Sequence, residues 1–271
     1  MLNKMKTIII IPAYNEEKRI ERTLDEYGKF FKNKNTEILV VINNTTDNTE
    51  KIVKKYREKY NFIRYLNFRQ VGKGFAIIEG FKEALKKDFD LIGFVDADMA
   101  TPPEAYFDLV KNINGYNGII ASRYVKGAIV KPKQSISRIV VSRIFNFLIR
   151  VLFLMPYKDT QCGAKLFKKY AIKRVINKID MTQWAFDIEL LYLLRKEKCE
   201  IKEHPTFWAD KEYSKINFMK AGPRMVLSII RLRLINSLFE PLLRPLKFIA
   251  EIGDSLINKN KNRKRDMKNA E

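Results

Sequence analysis

Two acidic residues separated by a single residue follow an apolar stretch in the first half of the chain. Asp96 and Asp98 come directly after residues 91–95, and the sequence Thr-Pro-Pro at 101–103 ends any strand soon afterwards. In extended backbone, residues i and i+2 lie on the same face, so both carboxylates can reach one divalent cation that also binds phosphate oxygens. The pair therefore predicts a metal-bound diphosphate site. The alternative from these residues alone is the solvated start of a loop.

The segments around this pair repeat one pattern, in which a strand leads through a polar loop into a helix. This alternation is typical of a parallel α/β sheet. The predicted strands are residues 7–11, 37–42, 62–67, 91–95 and 118–121, and the predicted helices are about residues 15–31, 48–60, 75–87 and 103–112.

Polar or glycine-containing loops follow these strands, at residues 12–16, 43–47, 72–74 and 96–98. In open sheets of this kind, ligands bind beyond the carboxyl ends of the strands. Each loop has a structural explanation too, since glycines turn the chain and polar residues cap helices. Their predicted meeting at one sheet edge favours a ligand site.

Composition limits the classes of partner and the compartment. The 271 residues include 52 basic and 31 acidic ones, for a net charge of +21, which indicates polyanionic partners such as nucleic acid, anionic lipid or phosphorylated substrates. The sequence lacks an RNA-recognition or helix-turn-helix signature, which disfavours nucleic acid. Two cysteines and one histidine exclude a disulfide framework and a multi-histidine metal cluster, and favour a reducing compartment.

Three segments in the second half carry candidate chemistry. Residues 136–155 are apolar but contain Arg138, Arg143 and Arg150, a pattern that fits an amphipathic surface helix or, alternatively, a core helix with one basic face. Asp187 begins an apolar helix that runs from about 184 to 196, where it is either an ordinary N-terminal acid or a general base. Aromatic and basic residues at 207–216 either close over a phosphorylated ligand or form a surface strand and turn.

The final third changes character. Residues 225–238 and 241–252 are apolar segments with interspersed arginine and lysine, and the end of the chain is almost wholly basic and polar. This pattern predicts amphipathic helices on an anionic membrane surface, with a helical oligomer interface as the alternative. We expect three regions: a catalytic domain at 1–218, membrane-surface helices at 219–257, and a disordered polybasic tail at 258–271. No signal peptide or transmembrane span is predicted.

Taken together, the motifs resemble those of the inverting family 2 glycosyltransferases, which have the GT-A fold. The resemblance covers about residues 6–216 and rests first on the sequence Pro-Ala-Tyr-Asn-Glu-Glu at 12–17 and on the loops at 43–47, 72–74 and 96–98. The motifs at 159–163, 184–189 and 214–216 are most similar to those of the dolichyl-phosphate β-glucosyltransferases, with the dolichyl-phosphate mannose synthases next.

The resemblance implies a role for each matching residue. Asp96 and Asp98 would hold Mg²⁺ or Mn²⁺, and Asp187 and Asp98 would be catalytic. The residues implied to contact the nucleotide-sugar donor are Pro12, Ala13, Tyr14, Glu16, Asn43, Lys73, Asp96 and Gln161. The residues implied to contact the acceptor phosphate are Ser122, Arg123, Arg138 and Lys215, since arginine binds phosphate through two hydrogen bonds and lysine supplies a mobile charge.

The implied reaction moves a sugar from a nucleotide donor to dolichyl or another polyprenyl phosphate with inversion, feeding lipid-linked glycan or N-glycosylation pathways. Because such an acceptor is already ionised near neutral pH, Asp187 would orient the sugar rather than remove a proton. The alternative is an enzyme that extends a lipid-linked glycan or surface polysaccharide, with Asp187 as general base. A non-catalytic basic module is the competing class. The expected location is the cytoplasmic face of the membrane, bound peripherally or monotopically.

Two departures from the family pattern bear on specificity. Asn43 and Asn44 stand where the family usually has an acidic pair, and asparagine donates as well as accepts hydrogen bonds, which loosens the expected nucleotide preference. Ala100 is small, as in the glucosyl-type enzymes, where the mannose synthases tend to carry a side chain that assists the metal. We therefore favour a UDP-sugar over a GDP-sugar.

Overall fold

The computed structural model describes residues 5–132, 136–180, 185–209, 227 and 229–234. Lys215, Trp184 and the polybasic tail lie outside these residues, as does most of the predicted membrane-surface region. Residues 227 and 229–234 are helical.

Strands and helices alternate along most of the described chain. The strands are β1 (Thr7–Ala13), β2 (Thr36–Asn43), β3 (Ile63–Phe68), β4 (Leu91–Phe94), β5 (Gly118–Ser122), β6 (Ile129–Lys131), β7 (Lys165–Lys168), β8 (Ile201–Pro205) and β9 (Phe207–Ala209). The helices are α1 (Ile20–Phe31), α2 (Thr49–Lys59), α3 (Lys73–Leu85), α4 (Pro103–Asn112), α5 (Ile136–Phe153), α6 (Lys169–Val175) and α7 (Phe186–Lys196). A short 3₁₀ turn at Ile176–Lys178 follows α6.

The main sheet has seven strands in the order β3-β2-β1-β4-β7-β5-β8. β7 runs antiparallel to both of its neighbours, and the other pairs are parallel. Every residue of β1 is buried because helices cover both faces of the sheet, as its continuous apolar sequence requires. The predicted α/β sheet, mainly parallel and flanked by helices, is confirmed. β6 and β9 form a separate parallel pair.

Helix α1 begins later than predicted. Asn15 has a φ of 51°, in the left-handed region, and the residues after it make hydrogen bonds to the loop that follows β2. A helix from residue 15 would lose those bonds, so the helical turn starts only at Ile20. Helix α4, by contrast, has the predicted bounds, with Pro103 at the first helical position.

The chain divides into two compact units, Met1–Ala221 and Gly222–Glu271. In the part of the second unit that the structure describes, Ile229 and Leu232 are buried whereas Ile230 and Leu234 are exposed. Among the described helices, none combines the length and apolarity that a bilayer crossing requires. The roles predicted for 219–257 and 258–271 stay predictions.

The pairing of β4 with β7 leaves no room for a side chain at Gly93. A Cβ atom there would overlap the carbonyl oxygen of Lys165 and the hydroxyl of Tyr106. We expect Gly93→Ala to lower the free energy of unfolding by about 1–3 kcal/mol, the usual cost of overpacking, or more because backbone must move. Urea denaturation measures this change.

Gly115→Ala is the matched control. Gly115 has a φ of +80° but nothing lies within 4 Å of its would-be Cβ, so only backbone strain of about 1–2 kcal/mol applies. A Gly93→Ala effect no larger than the control's would mean that the two strands separate easily.

Candidate active site

The loops after β1 and β2 are joined by hydrogen bonds between backbone and side chains. The amide of Asn15 donates to Thr45 Oγ1 (2.8 Å), and that of Glu16 donates to Thr49 Oγ1 (2.7 Å). In return, the amide of Thr46 donates to Asn15 Oδ1 (2.8 Å). The two loops therefore form one rigid rim at the carboxyl end of the sheet.

Asn43 ties this rim to the loop before α3. With its amide oriented to satisfy both groups, Asn43 Nδ2 donates to the carbonyl of Ala13 (2.9 Å) and Asn43 Oδ1 accepts from the amide of Gly72 (3.1 Å). Gly72 has a φ of 140°, which a residue with a Cβ rarely adopts. The Asn43 side chain is buried, and both its Nδ2 and its Oδ1 bind backbone groups. Asn43 therefore contributes to a donor site by holding the neighbouring loops in position.

Lys73, which directly follows Gly72, forms an ion pair with Asp96. Lys73 Nζ lies 2.6 Å from Asp96 Oδ1, and both side chains are partly exposed. Asp98 Oδ1 accepts from the amide of Ala100 (2.9 Å), and its Oδ2 lies 3.9 Å from Arg19 Nη1. Met99, between Asp98 and Ala100, has a φ of 61°. This conformation is unusual for methionine and turns the chain sharply after Asp98.

Burial and neighbouring charges set the pKa values of Asp96 and Lys73. Desolvation raises the pKa of the Asp96 carboxyl, Lys73 lowers it, and the carboxylates of Asp98 and Asp187 raise it, with a net rise. Desolvation lowers the pKa of Lys73, but the carboxylates of Asp96, Asp187 and Asp98 outweigh it and the pKa is raised overall. Lys73 therefore stays cationic, and further positive charge beside Asp96 would be stabilised.

The loop at residues 159–163 lies directly against this ion pair. A Cβ atom at Gly163 would overlap the carboxylate of Asp96, so only glycine fits there. Arg123 holds the start of the loop through two hydrogen bonds of 2.8 Å to the fully buried carboxylate of Asp159. The amide of Asp159 in turn donates to Glu203 Oε1 (2.9 Å). The loop is thus held in place from β5 and β8.

Asp187 is fixed by a buried lysine. Lys165 Nζ lies 2.6 Å from Asp187 Oδ1 and donates a second hydrogen bond of 2.6 Å to the carbonyl of Cys162. Lys165 is completely buried, and Asp187 is nearly so, in the first turn of α7. Because Cys162 precedes Gly163, Lys165 links the position of Asp187 to the loop that packs on Asp96.

The predicted site residues fall into three groups. Asp96, Asp98, Lys73 and Asp187 lie near one another, because the carboxylates of Asp98 and Asp187 raise the pKa values of both Asp96 and Lys73. Tyr14, which directly follows β1, is exposed, whereas Pro12 and Ala13 are buried at the end of β1. Glu16 makes two short hydrogen bonds with Arg19 (2.7 and 2.6 Å), and Gln161 is half-buried in the loop at 159–163.

The predicted acceptor-phosphate residues are less clearly grouped. Ser122 is buried at the end of β5. Asp159 engages the guanidinium of Arg123, which packs 5.1 Å from the ring of Trp208, and the contact of Arg123 with the acceptor phosphate stays a prediction. Arg138 belongs to α5, but its side chain lies outside the described residues, as does all of Lys215.

Similarity to known proteins identifies the fold and family of this arrangement. The model of glycosyl transferase family 2 matches residues 8–176. The chain belongs to glycosyl transferase family 2. The predicted family and the predicted class of enzyme, a glycosyltransferase, are confirmed.

Curated relatives of this family 2 glycosyltransferase share the name dolichyl-phosphate beta-glucosyltransferase. The one from Dictyostelium discoideum is 32% identical over 242 residues, which cover 83% of this chain and 73% of the relative. The human protein is 29% identical, with 84% and 75% covered. The protein from Saccharomyces cerevisiae is 30% identical, with 83% and 73% covered.

Solved structures of the same fold come from more distant proteins. Glucosyl-3-phosphoglycerate synthase from Mycobacterium tuberculosis, in complex with Mn²⁺, uridine diphosphate and glucosyl-3-phosphoglycerate, superposes with a TM-score of 0.65 at 16% identity, covering 86% of this chain and 82% of that one. S. aureus TarS 1-349 gives a TM-score of 0.57 at 19% identity, covering 86% and 66%. These likenesses confirm the predicted GT-A fold.

Two site features of this glycosyltransferase were not predicted. Lys165 and Asp159 form the buried ion pairs that hold Asp187 and Arg123. The sequence carries only a weak signal for Lys165, because just two apolar residues, Leu166 and Phe167, follow it before Lys168. Asp47 accepts from the amides of Glu17 and Thr49, just before α2, in the loop at 43–47 for which helix capping is the structural alternative.

Asn43 gives a test of the bridge between the donor-side loops. Asn43→Asp keeps the acceptor for Gly72 but sets an ionised oxygen against the carbonyl of Ala13, so we expect a loss of about 1–3 kcal/mol in the free energy of unfolding. A protonated carboxyl can still donate, so the loss should be smaller at pH 5 than at pH 8. Urea denaturation at both pH values measures it.

Asn44→Asp carries the same change of charge one residue later and serves as the control. Asn44 is only half-buried and has a φ of 54°, which aspartate tolerates, so we expect a change within about 0.5 kcal/mol. Equal losses for both variants would contradict the bridging role.

Lys165 gives a second test. We expect Lys165→Met to lower the free energy of unfolding by about 3–5 kcal/mol, because it leaves the Asp187 carboxylate buried without its partner. Adding Asp187→Asn should restore most of that stability. If Lys165 acts through Asp187, turnover by the double variant should equal turnover by Asp187→Asn alone, as measured in a double-mutant cycle.

Lys178→Met, which breaks an exposed ion pair with Glu197, should cost less than about 1 kcal/mol and is the stability control. A double variant as unstable as Lys165→Met, or far less active than Asp187→Asn, would show that Lys165 acts independently of Asp187.

Proposed function

We propose that this family 2 glycosyltransferase transfers a glucosyl residue from UDP-glucose to dolichyl phosphate or a related polyprenyl phosphate, with inversion at the anomeric carbon. The observation that carries the proposal is the similarity to several dolichyl-phosphate beta-glucosyltransferases over more than four fifths of the chain. The cleft is compatible with this chemistry, since it pairs carboxylates with Lys73 at the donor side.

Asp96 and Asp98 fit a divalent cation that arrives with the donor. No cluster of three or more histidine, cysteine, aspartate or glutamate side chains suited to a metal occurs among the described residues. Mg²⁺ is usually held by one or two carboxylates, with phosphate oxygens and water as the remaining ligands, so two carboxylates are sufficient. When bound, Mg²⁺ or Mn²⁺ stabilises charge on the leaving diphosphate.

The residues of the chain supply the remaining electrostatic and positional effects. Lys73, held at Asp96, offers the leaving diphosphate a second cation. An acceptor phosphate oxygen bonds to the anomeric carbon while the bond from that carbon to the diphosphate breaks, and the electron pair leaves with UDP. Because the phosphate is already ionised, Asp187 orients the sugar, and its fixed pairing with Lys165 suits that role.

Positive side chains would bind the acceptor. We assign Ser122, Arg123, Arg138 and Lys215 to its phosphate, with Arg123 shared with Asp159. The segments 219–257 and 258–271 would hold the enzyme at an anionic membrane surface, on the cytoplasmic face. The net charge of +21 supports this attraction.

A donor panel with purified protein tests the proposal. We expect glucose transfer from UDP-glucose to a polyprenyl phosphate in the presence of Mg²⁺ or Mn²⁺, with little transfer from GDP-mannose, and loss of transfer in EDTA. Rates should rise through about pH 6, where a phosphate monoester loses its second proton, and then level off. Mass spectrometry and NMR of the product identify the sugar and its β linkage.

Asp96→Asn should lower kcat/KM by about a hundredfold or more, the scale on which one well-placed electrostatic group acts. Asp108→Asn removes a carboxylate that pairs with Lys111 on α4, and should leave the rate unchanged. Transfer to a sugar hydroxyl of a lipid-linked glycan, without transfer to polyprenyl phosphate, would favour the alternative function. Transfer from no nucleotide sugar would overturn both.

A further inference from the structure

Helix α5 has an exposed apolar face along its whole length. Ile136, Ile144, Phe147 and Val151 are 81, 56, 61 and 55% exposed. With Val140, which is 49% exposed, their spacing of four, four, three and four residues forms one stripe on the helix. Leu148 and Val141 widen this stripe on one side. Single exposed apolar residues are ordinary on protein surfaces, but a continuous stripe indicates an interaction site.

The opposite face of α5 is fixed to the candidate active site. Asn146 is buried, and its Oδ1 accepts from both the amide (3.2 Å) and the hydroxyl (3.1 Å) of Thr160, in the loop at 159–163. Ser142 Oγ accepts from the Tyr124 hydroxyl (2.8 Å), directly after Arg123. Ile149 and Phe153 are also buried. The exposed stripe is therefore held at a defined orientation relative to the loop that contacts Asp96.

The charges on this segment are of one sign. Residues 136–158 contain no aspartate or glutamate. On a helical projection, Arg143 and Arg150 lie one after the other along one border of the exposed stripe, and both are exposed. The Arg143 guanidinium packs 5.1 Å from the ring of Tyr124, on the site side of the helix. An apolar stripe bordered by arginine matches the interface of an anionic bilayer, where acyl chains lie next to negative headgroups.

We propose that α5 docks this enzyme on an anionic lipid bilayer, with the exposed stripe in the headgroup and acyl boundary and Arg143 and Arg150 at the phosphates. This inference rests on the proposed function in one respect: a polyprenyl phosphate has its chain in the bilayer and its phosphate at the surface. Through Asn146 and Thr160, the docked helix sets the loop at 159–163 at the height of that phosphate.

Vesicle sedimentation with the full chain tests the docking surface. The probes are vesicles of phosphatidylcholine alone and of phosphatidylcholine with phosphatidylglycerol. We expect the double variant Ile144→Gln/Phe147→Gln to bind the anionic vesicles about tenfold more weakly than the parent. Arg150→Gln should weaken binding to anionic vesicles about fivefold, because one basic side chain near such a surface contributes that much, and should not change binding to phosphatidylcholine.

Tyr170→Gln is the matched control, because Tyr170 is 43% exposed but lies on α6 rather than α5, and it should bind vesicles as the parent does. Circular dichroism and thermal unfolding of each variant verify its fold. Unchanged vesicle binding by the double variant overturns the proposal, and so does an equal loss for Tyr170→Gln. If vesicle binding is unchanged but sedimentation equilibrium shows a parent dimer that the double variant breaks, the stripe is an interface between copies.

Activity on two acceptors separates this inference from the proposed function. The double variant should keep parental turnover on a short, water-soluble prenyl phosphate and lose turnover on a long polyprenyl phosphate in vesicles. A parent that binds vesicles through α5 but transfers sugar to neither acceptor would overturn the proposed function and leave the docking surface standing. If the parent is active on both acceptors and the double variant is equally active on both, the docking surface is overturned and the proposed function stands.

Discussion

The carboxylate of Asp96 is the point on which the two halves of the site depend. Lys73 reaches it from α3, on the side of the loops after β1 and β2. The backbone of Gly163 packs on it from the other side, where the second half of the domain begins. Each side of this contact is braced by further buried polar groups, Asn43 on the first and Arg123 with Asp159 on the second. A shift on either side would change the surroundings of the same carboxylate.

Two buried ion pairs lie inside the domain. Lys165 and Asp187 neutralise each other inside the domain, and Arg123 and Asp159 do the same nearby. Such pairs contribute little net stability, because desolvating both charges offsets most of their attraction, but breaking one partner is costly. They therefore act as constraints on geometry. Asp96 and Asp98 are likewise placed beside cations, Lys73 and Arg19.

The sequence was a good guide to whatever depends on local pattern. β1, β2 and α4 follow from apolar runs and from Pro103, and the acidic pair after β4 follows from its position. β7 was missed because four residues that begin with a buried lysine lack a strand signature. The engagement of Arg123 by Asp159 was missed for another reason. It joins residues 36 positions apart, and only the tertiary structure decides whether a guanidinium meets a protein carboxylate or a substrate phosphate.

The reversed direction of β7 has a consequence for how such a domain can diversify. β5 and β7 pair antiparallel through Ile120 and Lys165, so the chain leaves the sheet after β5 and returns to it at nearly the same place. Residues 123–164, including α5, therefore form an excursion whose ends are neighbours. An excursion of this kind can change length and surface chemistry without altering the strands that hold the donor-side loops. The exposed face of α5 can thus change while the strands of the sheet stay constant.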